Sequence, residues 1–151
     1  MAERDTMPPG DDHRRPDGVD DATVAATGKL GEALETIERA RGRLYDFHQL
    51  VGHADLLLDE VVEAFEKAGH HDFAERLRTE VLGRNVLEGR WTFQVMEEFD
   101  DGYYADIRLA ERAARERYTG GIRHLFEAEM KERRRTHGRG GHESRPDRPA
   151  S

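Results

Sequence analysis

Residues 30–69 read LGEALETIERARGRLYDFHQLVGHADLLLDEVVEAFEKAG. Leu30, Ile37, Leu44, Val51, Leu58 and Phe65 stand seven apart, and Ala33, Ala40, Phe47, Ala54, Val61 and Ala68 repeat three places behind them. Alternating spacings of three and four trace one helix face, so the stretch predicts a single heptad-patterned helix of about 60 Å. A helix of that length needs partner helices along its whole stripe.

The flanking sequence supplies them. The first helix is expected to begin near Thr27 to Lys29 and to end at Gly69, a natural left-handed terminator. Asp72 with Glu75 three residues on resembles a capping box and opens a second helix. Asp100-Asp101-Gly102 marks the next turn. A third helix follows, its stripe formed by Tyr103, Ile107, Ala110, Ala114, Tyr118, Ile122 and Leu125, with Thr119-Gly120-Gly121 as a kink or as a short break with Thr119 as a new cap. The expected fold is an all-α, antiparallel three-helix bundle of long helices. Residues 28–136 form the bundle, between a disordered acidic tail at 1–27 and a disordered basic tail at 137–151.

Composition agrees with that design. The chain has 151 residues, 36% hydrophobic and 37% charged, and a mean hydropathy of -0.90. Such a chain is short of apolar residues for a compact globule but adequate for helices that bury stripes. No apolar run approaches the roughly 18 residues of a membrane span, and the acid-rich opening is not read as a signal peptide. With no cysteine, disulfides and thiolate metal sites are excluded. A soluble cytoplasmic protein is the expectation.

The net charge is -8, and the body of the chain is acidic. That argues against a broad phosphate-binding face. The basic segment Lys131–Arg148 is the exception and the one place where nucleic acid could dock. Cations at a helix C-terminus also complement the helix dipole, which is the simpler account of them.

Folding the first helix back on the second about residues 69 and 70 aligns two seven-spaced columns. Leu34, Arg41, His48, Asp55 and Val62 then face Ala105, Glu98, Trp91, Arg84 and Leu77 respectively. Two of these meetings pair opposite charges. Polar residues in a helical seam reject slipped registers, and that is the role expected here. The alternative is a metal-binding or catalytic bundle using His48, Asp55, Glu97 and Glu98. Residues seven apart on a helix lie about 10 Å apart along its axis, too far for His48 and Asp55 to share an ion on a straight helix.

Motif searches exclude several chemistries. None of the eight histidines has a Glu three residues before it, and no His-x-x-x-His occurs. Di-iron carboxylate and helical zinc-hydrolase patterns are therefore missing. Both serines, Ser144 and Ser151, lie near the C-terminus, away from any rigid scaffold for a nucleophile. No catalytic residue is assigned, no cofactor is expected, and a divalent metal enters only under the alternative above.

Residues 89–104 hold five of the eleven aromatics, Trp91, Phe93, Phe99, Tyr103 and Tyr104, beside four acids. Their spacing makes two sides of the segment apolar. Leu50 and Leu57 mark a similar second face on the first helix. These residues are the expected interface of a non-enzymatic interaction or scaffold protein, a homodimer or a binder of another protein.

Overall fold

The computed structural model describes residues 13–144. Five α-helices follow in order: α1 Asp21–Lys67, α2 His71–Glu80, α3 Thr92–Phe99, α4 Ala105–Thr119 and α5 Leu125–Arg134. A π-helical turn, Asp100–Tyr104, joins α3 to α4. Among the described residues the only extended pairing is an isolated bridge between Leu87 and Arg90. No helix among them is long and apolar enough to cross a membrane. The chain is therefore all-α. Among the described residues one helix is long and four are shorter, where three long ones were expected. The chain divides into two compact units, Thr36–Ala105 and the residues up to Glu35 with those from Asp106 onward.

α1 runs unbroken for 47 residues but starts at Asp21, ahead of the expected Thr27. The reason is a cap. Asp20 Oδ1 accepts the Thr23 amide N–H at 2.7 Å, satisfying one of the unpaired donors of the first turn. Hydrogen bonds from the Thr23 side chain and then from its amide favour the ionised form and hold the Asp20 carboxyl below its ordinary pKa. Residues 1–12 and 145–151, which include much of the two expected tails, lie outside the described residues.

At its other end α1 closes as the sequence predicts. Gly69 is left-handed at φ +85°, its N–H donates to Glu66 O at 3.0 Å, and the His70 N–H donates to Phe65 O at 2.9 Å. These are the two bonds of a Schellman motif, with Phe65 and His70 in edge contact across it. α2 then begins at His71, and the expected Asp72–Glu75 capping box does not form. Glu75 pairs instead with Arg78, while Glu66 accepts from both His71 and Arg78 and ties the end of α1 to α2.

The second expected helix breaks at Glu80, and residues 81–91 form an irregular connection with Gly83 and Gly89 both at positive φ. α3 restarts where the Gln94 side chain accepts the Trp91 N–H at 3.0 Å. The third expected helix breaks after Thr119. Thr119 is not a new N-cap, because its hydroxyl donates back to Arg115 O at 2.9 Å. Gly120, Gly121 and His124, all left-handed, carry the chain into α5.

In the terminal unit, Val24 and Leu125 are buried and Arg15 forks onto Glu129 at 3.0 and 3.2 Å. Gly28 is the tightest point. A β-carbon there would lie 2.7 Å from Phe126 Cβ, whereas one at Gly31 would meet nothing within 4 Å. Two substitutions on one helix should therefore have opposite signs. Gly28→Ala is expected to destabilise by roughly 1–3 kcal/mol through overpacking. Gly31→Ala is expected to stabilise by up to about 1 kcal/mol through helix propensity. Thermal unfolding of the two variants measures both, and equal shifts would contradict this packing.

Candidate functional site

The inner face of α1 in the Thr36–Ala105 unit is not the face that the apolar heptad predicts. Ile37, Leu44, Val51, Leu58 and Phe65 are half-buried, as expected. Their companions, however, are the polar column: Arg41, His48 and Asp55 are half-buried and Val62 is buried. The second apolar column, Ala40, Phe47, Ala54, Val61 and Ala68, is exposed. The seam is thus shifted around the helix, and the polar residues form half of it rather than its margin.

Each polar residue in that seam has a partner, displaced from the expected one. Arg41 does not meet Glu98. Its Nε and Nη2 donate to the two carboxylate oxygens of Asp100 at 2.7 and 2.9 Å, a bidentate fork. The guanidinium also lies 5.1 Å from the ring centroids of both Tyr45 and Tyr104. The Tyr104 hydroxyl donates to Glu38 at 2.8 Å, and its ring stacks on Phe99. His48 Nδ1 meets the Thr92 hydroxyl at 2.7 Å rather than Trp91. Asp55 accepts the Gly83 N–H at 2.9 Å rather than pairing with Arg84. Glu98 pairs with Arg90.

The displacement has a physical cause. From Asp55 to His48 the helix advances seven residues, while their partners are nine apart, Gly83 to Thr92. An irregular connection rises differently per residue from a helix, so the register drifts along it. Arithmetic that assumes a continuous second helix lands one residue past Gly83, one short of Thr92 and two short of Asp100.

The alternative metal set is not assembled. Among the described residues no three His, Asp or Glu side chains gather as a metal site. His48, Asp55 and Glu98 are engaged with three different partners, and Glu97 is exposed. Of the basic segment, Lys131, Arg133 and Arg134 are exposed in the last turn of α5, while the Arg135 side chain is only 1% exposed and paired with Glu132.

The candidate interface residues divide into two groups. Phe99 and Tyr104 are half-buried around Arg41. Trp91 and Phe93 are exposed, their rings 5.2 Å apart, and Trp91 lines an open concavity of about 270 Å³ with Asn85, Gly89, Arg90 and Gln94. Tyr103 is exposed as well. On α1, Leu50 is 65% exposed and Leu57 45%, and with Phe47, Ala54 and Val61 they form one continuous apolar stripe. The apolar heptad places Phe47 and Val61 in the seam, whereas the structure sets them on this outer stripe. Its signal was the run 47, 50, 54, 57, 61, 64, 68, which alternates three and four without a polar residue.

Comparison with family models, curated proteins and solved structures finds no match to this chain.

The Arg41 fork has a pH consequence. The guanidinium holds the Asp100 carboxyl below the ordinary carboxylate range. A carboxyl depressed in the folded state adds stability above its unfolded pKa of about 3.9, and that contribution disappears as pH falls through the lower folded value. Melting temperature should therefore fall on acidification below about pH 4. Asp100→Asn should melt lower at neutral pH and lose less on acidification. An unchanged acid slope in the variant would contradict the assignment.

Proposed function

We propose that this protein is a non-enzymatic helical scaffold that works by docking other helices on the outer face of α1. One observation carries the reading: Phe47, Leu50, Ala54, Leu57 and Val61 are all exposed and all lie in one heptad stripe. Single exposed apolar residues are common, but a continuous stripe is what one helix offers another. The polar residues that could have suggested chemistry support it as well. Arg41, His48 and Asp55 are each engaged in a bond that holds the inner face of the same helix. A cytoplasmic setting belongs to the reading, on the strength of a charge-rich, cysteine-free composition.

Cross-linking in cells tests it. A photo-reactive residue at position 57 of the full chain should give a discrete protein adduct, whereas one at Asp59, off the stripe, should not. Leu50→Asp should abolish the position-57 adduct while changing the stability of the fold by no more than about 0.5 kcal/mol, as for other surface changes. Equal adducts at both positions, or none at either, would contradict the reading.

A further inference from the structure

The outer face of α1 is complementary to itself. We propose that two copies of this chain pair through α1 as an antiparallel, two-fold symmetric coiled coil centred between Asp55 and Leu56. The proposal rests on the scaffold reading above and supplies its partner.

In an antiparallel coiled coil, each residue of one seam column meets a residue of the other column on the partner helix. Centring the axis between 55 and 56 places Phe47 opposite the partner's Ala64, Leu50 opposite the partner's Val61, and Ala54 opposite the partner's Leu57. Symmetry repeats each meeting. Every layer then combines a larger side chain with a smaller one, the arrangement that fills an interface evenly. The paired stretch, 47 to 64, is about 27 Å long.

The flanking charges select the same register. The column beside the stripe is Arg39, Asp46, His53, Glu60 and Lys67, all exposed. With this axis, Asp46 lies beside the partner's Lys67, and His53 beside the partner's Glu60. Moving the pairing by one heptad in one direction sets Asp46 against the partner's Glu60 and Arg39 against the partner's Lys67. Moving it the other way sets Glu60 against the partner's Glu60 and Ala54 against the partner's Ala64. A parallel pairing stacks Ala54 on the partner's Ala54 and puts Asp46 and Glu60 beside the partner's Val51 and Phe65. Only the central antiparallel register matches both size and charge. Asp46 and Lys67 hold only loose ion pairs in their own helix, at 3.7 Å to Arg43 and 3.8 Å to Glu63, all well exposed. Both are available to a partner.

A charge exchange on the full-length chain tests the pairing. Sedimentation equilibrium of the unaltered chain should show a concentration-dependent dimer. Asp46→Lys or Lys67→Asp alone should weaken it on the order of tenfold, since each places two like-charge contacts across the axis. The double variant should restore affinity to within about threefold of the unaltered chain. Helical content and melting should stay close to those of the unaltered chain in all three. Double electron–electron resonance fixes the orientation, because the chain has no native cysteine to interfere. Spin labels at Arg39→Cys should lie about 50 Å apart in the dimer, and labels at His53→Cys within about 20 Å. A monomer at all concentrations, a double variant as weak as the singles, or short distances at both sites would overturn the proposal. A monomer whose position-57 cross-link joins a different protein would overturn self-pairing alone. Loss of every adduct would overturn the scaffold reading too.

Discussion

The structure of the Thr36–Ala105 unit depends on the ion pair between Arg41 and Asp100. It joins α1 to the far end of the returning chain, just where α3 passes into the π-helical turn. The guanidinium is held by a bidentate carboxylate and flanked by two tyrosine rings. That geometry fixes both the rotation of α1 about its axis and its position along the hairpin. A bidentate fork has little tolerance for a slipped register. Once Arg41 points inward, His48, Asp55 and Val62 must follow, because residues seven apart share a face. The rotation that brings the polar column in turns Phe47, Leu50, Ala54, Leu57 and Val61 out.

This explains how a chain with so little buried apolar surface holds a definite fold. Among the described residues only Val24, Val62, Ala74, Met96 and Leu125 are buried apolar residues. Much of the specificity comes instead from directed bonds: the Asp20 cap, the Schellman closure at Gly69, the Glu66 link to α2, and the Asp55 carboxylate on the Gly83 N–H. Such bonds contribute modestly to stability, but they discriminate strongly against alternatives that would leave them unmade. Apolar residues released from the core are then free to serve an interface.

The all-α class, the long first helix and its end at Gly69 were legible in the sequence, since they follow from an uninterrupted heptad and a single left-handed glycine. Arg41, His48 and Asp55 bond to the returning chain at Asp100, Thr92 and Gly83. These exact partners were not legible. They depend on how residues 81–91 rise, and irregular backbone has no fixed rise per residue. Nor was the choice between the two apolar columns. Alanine, phenylalanine and valine at 40, 47 and 61 look like core by composition, but the bonds of Arg41, His48 and Asp55 to the returning chain hold the neighbouring face inward. The start at Asp21 was hidden for a different reason: the cap residue Asp20 stands in an acid-rich stretch that resembles a tail.

The most direct test of this account is the solvent access of each position on α1. Single cysteines placed along residues 44–62 of a chain with none of its own can be labelled in dilute protein, one variant at a time. The account predicts slow labelling at 44, 48, 51, 55, 58 and 62, and fast labelling at 47, 50, 54, 57 and 61. Fast labelling at 48 and 55 with protection at 47, 54 and 61 would mean that the apolar heptad, not the polar column, faces inward.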